Sequence, residues 1–204
     1  MDIKHPDTED IEDKVRKPNY IEKGVHYILL GLANDYGLDL TDVNFEGTPK
    51  RVARMYGEIF GGIKDTKQQI KNILDSSFPS TNKEMIIAKN ISVYSMCPHH
   101  FLPVSYSVDL GYIPNGNVLG VSKLTRLVEI LAKRPVLQET LTEEIANYLQ
   151  KINTLGVMVI VKGQHYCMKM RGVKQQNSTI ITSAVRGVFD EDIKTRNEFM
   201  ELVK

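Results

Sequence analysis

Apolar and polar positions in the first third of the chain follow the period of amphipathic helices. Apolar residues recur at helical spacing from Ile21 to Leu32, which predicts a helix ending near Gly37. A second helix is predicted from Thr48, which can cap it, through the proline of its first turn to the glycine pair at 61–62. A third, short helix is predicted over residues 66–75.

From residue 85 the pattern changes to that of an antiparallel α+β fold. Two segments rich in β-forming residues, 85–96 and 104–113, predict strands. Two amphipathic helices follow, whose apolar stripes are Leu124, Leu127, Val128 and Leu131 in the first and Leu141, Ile145, Leu149 and Ile152 in the second. Further strands are predicted at 156–161, 164–173 and 179–188, and a last helix at 190–203. Strand pairs on either side of a helical pair indicate a mainly antiparallel sheet.

The length of 204 residues suits one domain, or one domain with an N-terminal appendage. Residues 1–18 are polar and charged and are predicted to be a flexible tail. An N-terminal helical region, 19–75, and a sheet-containing domain, 76–204, follow. Hydrophobic residues at 42% and charged residues at 25% are typical of a globular protein.

The charge balance narrows the possible partners. Lys plus Arg is 26 and Asp plus Glu is 25, so the net charge of +1 argues against a protein built to neutralise nucleic-acid phosphates. No apolar run approaches the roughly 18 residues of a membrane span, and the N-terminus lacks the apolar core of a signal peptide. We expect no nucleic-acid partner, no membrane association and a cytoplasmic location.

The two cysteines lie among histidines. Cys97, His99 and His100 fall within four positions, and the three-residue spacing of Cys97 and His100 lets both side chains converge on one metal ion. The alternative is a half-buried cysteine beside two surface histidines. Together with Cys167 and His165, the chain offers two thiolates and three imidazoles near one another, more than one tetrahedral zinc needs. Spacing alone does not choose the ligands among them.

The second cysteine lies in a segment that the pattern predicts as a strand. Alternation would place on one face His165, Cys167, Lys169 and Arg171. It would place in the core Tyr166, Met168 and Met170. The first set combines an imidazole, a thiol and two cations; the alternative is a solvated edge of the sheet.

The starts of the two central helices carry candidate nucleotide contacts. Ser122 lies where an N-cap belongs, and Lys123 and Arg126 share a helix face, a pattern that suits phosphate binding as well as an ordinary capped helix. Gln138 and Glu139 open the next helix. A carboxylate there could accept two parallel hydrogen bonds from guanine, or could simply be a favourable first-turn acid.

Taken in order, these segments resemble the GTP cyclohydrolase I family. The matching stretches are TPKRVA (48–53), CPHH (97–100), GVSKLTRLV (120–128), AKRPVLQETLTEEIA (132–146), HYCMKMRGV (165–173) and VFDEDIKTRNEF (188–199). The resemblance extends from about residue 20 to the C-terminus. It implies a tunnelling fold (T-fold), an antiparallel sheet with a helical pair on one face that is preceded by N-terminal helices and assembles as a ring-shaped homodecamer with sites at subunit interfaces.

The same resemblance implies the activity and the residue roles. The family converts GTP and water to 7,8-dihydroneopterin triphosphate and formate, a hydrolysis of the carbon–nitrogen bonds of a cyclic amidine at the start of folate and pterin biosynthesis. The implied zinc ligands are Cys97, His100 and Cys167, and the implied acid–base pair is His99 and His165. The implied triphosphate and ribose contacts are Arg51, Ser122, Lys123, Arg126 and Arg171, and the implied guanine contacts are Gln138 and Glu139.

Two positions depart from the family pattern. Pro98 stands where a glutamate is usual, which removes a carboxylate and a backbone N–H and restricts Cys97. Tyr106 stands where a glycine is expected. Pro98 favours the competing hypothesis, a non-catalytic or altered-substrate T-fold protein that binds a purine nucleotide or a pterin.

Overall fold

The computed structural model describes residues 19–204, so the predicted tail, 1–18, lies outside the described residues. The chain divides into two compact units between Glu58 and Ile59. The predicted divide between a helical region and a sheet domain, at residue 75, stays a prediction. Among the described residues, no helix has the length and apolar character needed to cross a membrane.

The first unit contains the first two predicted helices. Helix α1 (Tyr20–Tyr36) starts at Asn19, whose side-chain oxygen accepts hydrogen bonds from two N–H groups of the first turn. It ends at Gly37, whose φ of 76° is a left-handed conformation that glycine adopts without steric cost. A short 3-10 turn, Val43–Phe45, precedes α2 (Thr48–Ile59).

The second unit contains an antiparallel sheet and six helices among its described elements. In chain order these are α3 (Thr66–Leu74), β1 (Ser77–Pro79), β2 (Ile86–Met96), β3 (Pro103–Pro114), β4 (Asn117–Leu119), α4 (Val121–Ala132), α5 (Gln138–Gln150), β5 (Thr154–His165), α6 (Tyr166–Lys169), β6 (Ile180–Gly187), α7 (Val188–Glu191) and α8 (Ile193–Leu202). The main sheet has the order β2-β3-β5-β6 with every pair antiparallel, and β1 pairs with β4. The predicted α+β class is confirmed.

The helical pair α4 and α5 covers one face of the main sheet. Their apolar stripes are almost completely buried: α5 packs on β5 and β6, against alternate residues of β5 such as Val157, Val159 and Val161, and α4 packs on β2. Each such aliphatic side chain contributes roughly 1.5–3 kcal/mol when fully buried. The intervening residues Met158 and Ile160 belong to a separate cluster with Phe189 and Phe199, so α7 and α8 cover part of the opposite face.

The predicted strand over 164–173 is wrong beyond His165. The β3–β5 ladder ends at the pair Val104 and His165, and β6 pairs with β5 only as far as Gly163, so later residues have no strand to bond with. Their backbone forms the single helical turn α6 instead, with the N–H of Met170 donating to the carbonyl of Tyr166 at 3.0 Å.

The faces predicted for that segment change accordingly. Tyr166 and Met170, placed in the core by the alternation, are 43% and 62% exposed, and Met168 is only partly buried. The strand face expected to carry His165, Cys167, Lys169 and Arg171 does not exist, because the last three lie on or after the helical turn.

Two helix boundaries also differ from the predicted ones. Gly120 is the N-cap of α4, and Ser122 lies within its first turn, so the predicted capping role of Ser122 is wrong. The predicted last helix is two helices, because Asp192 is extended and caps α8 by accepting hydrogen bonds from two N–H groups.

Candidate metal and active site

A tight turn after β2 presents the first candidate ligands. The N–H of Phe101 donates to the carbonyl of Cys97, and the N–H of Cys97 donates to the carbonyl of Leu102, both at 2.9 Å. Neither bond uses the N–H of residue 98, so the turn accommodates Pro98 without losing a hydrogen bond. Cys97 is buried at 6% exposure, whereas His99 and His100 are exposed.

The turn and α6 bring three ligand atoms together. Those of Cys97, His100 and Cys167 all lie within 4.8 Å of one another. Nδ1 of His100 is 3.9 Å from Sγ of Cys97, and both cysteines are free thiols. Two sulfurs and one imidazole nitrogen are a donor set that zinc accepts with one position left open.

The electrostatics of the two thiols fit a cation at this place. Burial raises the pKa of Cys167, and the neighbouring Cys97 raises it further, through a hydrogen bond and through its charge. Two adjacent thiolates repel each other, and a divalent cation between them removes that cost. The residues therefore fit the metal that the sequence predicts.

His99 and Arg171 lie next to the three ligands. Nδ1 of His99 is 4.0 Å from Sγ of Cys97. Nη1 of Arg171 donates to Nε2 of His100 at 2.7 Å, since a guanidinium cannot accept. This bond places the proton of a neutral His100 on Nδ1, so metal binding through Nδ1 requires the other tautomer and the departure of Arg171.

His165, at the end of β5, is held by Gln138 from the first turn of α5. Oε1 of Gln138 lies 2.8 Å from Nε2 of His165. Burial lowers the pKa of His165, and the carboxylate of Glu139 partly opposes that shift. The imidazole is therefore biased toward the neutral form, which can accept a proton.

The Gln138 side chain is 2% exposed, and its amide nitrogen is committed within the protein. It donates at 3.0–3.1 Å to the carbonyls of Val161 and Ile180 and to the hydroxyl of Thr182. A flipped amide would turn its oxygen toward two carbonyl oxygens, so the amide orientation is determined. The role of Gln138 as a guanine contact stays a prediction.

Tyr106 of β3 packs beside His165. Its ring is 3% exposed and meets the imidazole edge-on, with centroids 6.0 Å apart. Burial raises the pKa of Tyr106, and the charges of Cys97, Glu139 and Cys167 raise it further, so the phenol stays protonated at physiological pH. Its hydroxyl has no hydrogen-bond partner among the described residues.

The remaining predicted nucleotide contacts are mostly exposed, and those on α4 and α5 are not bonded to the metal cluster within the described residues. Ser122 and Arg126 on α4 and Glu139 on α5 are exposed, and Lys123 is half-buried. Within residues 19–204, no hydrogen bond or ion pair joins these four to the three metal ligands. In the first unit, the guanidinium of Arg51 donates to the carbonyls of Asn44 and Glu46 and to the hydroxyl of Thr48.

Two features of the site were not predicted from the sequence. One is the hydrogen bond of Gln138 to His165, which joins residues 27 positions apart. The other is the contact of Tyr106 with His165. Gly163, a glycine within an apolar strand, was the available signal, because such a glycine often marks a close approach of other groups.

An antiparallel α+β fold with a helical pair on one face places the chain in the tunnelling-fold class, and its Cys–His–Cys cluster could hold a metal ion. The chain belongs to the GTP cyclohydrolase I family, whose model matches residues 21–204. The protein named GTP cyclohydrolase 1 from Carboxydothermus hydrogenoformans is 45% identical over 185 residues, which are 90% of this chain and 93% of that protein. The protein of the same name from Pelotomaculum thermopropionicum is 43% identical over 186 residues, 90% of this chain and 95% of that one.

Two solved structures match about half of this chain at lower similarity. The apo archaeosine synthase QueF-Like is 22% identical, with a TM-score of 0.43, over 53% of this chain and 97% of that one. Escherichia coli dihydroneopterin aldolase in complex with neopterin is 14% identical, with a TM-score of 0.40, over 51% of this chain and 99% of that one.

Proposed function

We propose that this chain is a GTP cyclohydrolase I, an enzyme that converts GTP and water to 7,8-dihydroneopterin triphosphate and formate at the start of folate and pterin biosynthesis. Family membership over residues 21–204 supports the substrate and the reaction. The observation that carries the proposal is the cluster of Cys97, His100 and Cys167 within 4.8 Å. It combines the ligands of a catalytic zinc with adjacent histidines that can transfer protons.

The three residues would hold Zn²⁺ as a Cys₂His site. When bound, the ion supplies a positive charge that polarises water and lowers its pKa toward neutrality. Cys97 and Cys167 would act as thiolates and His100 through Nδ1, the nitrogen that faces the sulfur of Cys97. Arg171 would leave His100 on metal binding and become available to an anionic substrate.

His165 is the proposed acid–base residue. An amide oxygen only accepts, so His165 donates the Nε2 proton to Oε1 of Gln138. Nδ1 is then the nitrogen that takes up and returns a proton as the guanine ring opens. His99, 4.0 Å from Sγ of Cys97, is the proposed partner in this proton transfer.

The remaining proposed contacts position the nucleotide. Glu139 would accept hydrogen bonds from guanine N1–H and the 2-amino group. The triphosphate and ribose would be held by Ser122, Lys123, Arg126 and Arg171, together with Arg51. Because the triphosphate does not react, these contacts supply binding energy and orientation.

The proposed assembly is a ring-shaped homodecamer in the cytoplasm, with active sites at subunit interfaces. Such an assembly is consistent with the exposure of Ser122 and Arg126 and with their lack of contact with the described metal ligands, because a neighbouring copy could supply them. Size-exclusion chromatography with light scattering tests it, and a stable monomer with full activity would contradict it.

The alternative of a non-catalytic binding protein is not favoured. Its support was Pro98, yet the turn that contains Pro98 still brings Cys97 and His100 together. The clustered thiols and imidazole and the hydrogen bond of Gln138 to His165 support an enzyme, and the relatives that match 90% of the chain are named GTP cyclohydrolase 1.

The deciding experiment incubates the zinc-loaded protein with GTP and measures formate and, after oxidation, a fluorescent pterin. We expect both products in equal amounts. Binding of GTP without formate would support the binding protein instead. Release of formate without a pterin would indicate an enzyme of the same fold with a different product.

A further inference from the structure

The space above Gly163 is filled by two side chains of the candidate site. Gly163 lies directly opposite Tyr106 in the register of β3 and β5. A Cβ atom at Gly163 would clash with Oε1 of Gln138 and would lie 2.8 Å from Cε1 of Tyr106. The absence of a side chain at position 163 is therefore what admits both groups over the sheet.

Oε1 of Gln138 is the same atom that holds His165. It lies 2.8 Å from Nε2 of the imidazole, and the amide nitrogen is fixed on the opposite side by its three acceptors. Any shift of this oxygen therefore moves or releases the ring of His165. A displacement of about 1 Å in a catalytic group can reduce a rate by roughly 100-fold.

The ring of Tyr106 lies beside this hydrogen bond, on the side of β3. Its Cε1 lies 2.8 Å from the position that a Cβ at Gly163 would take, next to the place filled by Oε1 of Gln138. The plane of the ring stands at 78° to the imidazole of His165. The hydroxyl contributes no hydrogen bond to the described residues. The contact is therefore made by the aromatic ring, which is 3% exposed and has little freedom to move.

We propose that Tyr106 is a positioning residue which, matched to Gly163, holds Gln138 and through it His165 in the orientation that proton transfer needs. This inference rests on the proposed function, in which His165 is an acid–base residue. A large ring at position 106 requires the absence of a side chain at 163, so substitutions at the two positions should not act independently.

The first test compares two substitutions of Tyr106. Tyr106→Ala should lower kcat by about 10–100-fold, with KM within about threefold and zinc content unchanged, because the histidine loses its orientation while the substrate and metal contacts remain. Tyr106→Phe should keep kcat within about twofold, since it retains the ring. If Tyr106→Ala does not fold, Tyr106→Leu removes the flat ring at smaller cost in volume.

The second test is a double-mutant cycle. Gly163→Ala alone should lower kcat by at least about 10-fold, since the new methyl group displaces Oε1 of Gln138. In the Tyr106→Ala background the same substitution should cost less than about threefold, because the orientation of Gln138 and His165 is already lost in that background.

Leu110→Ala is the matched control. Leu110 lies on the same strand and the same face as Tyr106, is fully buried, and is paired with Val159 rather than with Gly163. It should lower the free energy of unfolding and leave kcat within about twofold. Additive losses in the cycle, or a Tyr106→Phe variant as slow as Tyr106→Ala, would overturn the inference. A wild-type protein that releases no formate would overturn the proposed function itself.

Discussion

Replacing His165 by alanine separates proton transfer from metal binding. The imidazole is not among the three clustered ligand atoms, so the variant should retain about one zinc per chain. Loss of a general acid–base group lowers a rate by roughly 10²–10⁴-fold, and product formation should fall by that factor. The buried oxygen of Gln138 also loses its 2.8 Å partner, which should reduce the free energy of unfolding by about 1–3 kcal/mol.

The assay measures zinc by atomic emission, formate release at saturating GTP, and urea unfolding of the same preparations. Cys167→Ser is the matched control: it removes a ligand two residues along the chain, so zinc and activity should be lost together. Parallel loss of zinc in His165→Ala would refute the ligand assignment. Full activity in that variant would refute the acid–base role.

Guanine recognition, a buried ion pair and a buried phenol each give a further prediction. Glu139→Gln should weaken GTP binding by roughly tenfold or more, because a donor replaces an acceptor for a guanine N–H. Lys123→Ala should weaken the binding of GTP far more than the binding of guanosine. If calorimetry shows an unchanged GTP affinity in Glu139→Gln, the guanine contact lies elsewhere. Asp109→Ala should reduce the free energy of unfolding in urea by about 2–3 kcal/mol. The reason is that the buried Asp109 carboxylate accepts hydrogen bonds from the N–H of Asn90 at 2.8 Å and from Nζ of Lys162 at 2.9 Å. A loss below about 0.5 kcal/mol would refute that account. Because the pKa of Tyr106 is raised in the folded protein, the unfolded chain releases the phenol proton at a lower pH. The free energy of unfolding should therefore fall as the pH rises above about 10, and Tyr106→Phe should make that fall shallower. An identical pH dependence of the free energy of unfolding in both proteins would contradict this account.

Local sequence signals predicted most of the secondary structure. The spacing of apolar residues in α4 and α5 determines which face is buried, and the strands β2 and β3 follow from runs of β-forming residues between turn residues. These features are predictable because each depends on neighbours only a few positions away.

The segment after His165 shows where such signals end. Its apolar residues alternate as in a strand, yet it forms α6, because no neighbouring strand extends far enough to pair with it. Whether a segment becomes a strand depends on a partner distant in the sequence, and alternation alone does not reveal whether that partner is present.

The residue types of the site, though not its geometry, were visible in the sequence. The thiols and imidazoles around Cys97 and Cys167 indicated a metal, and the family resemblance chose three ligands among five candidates. Their convergence within 4.8 Å depends on the turn after β2 meeting α6. The hydrogen bond of Gln138 to His165 and the matched pair of Tyr106 and Gly163 were decided only by the tertiary structure, because each joins residues that become neighbours when β3, β5 and α5 pack together.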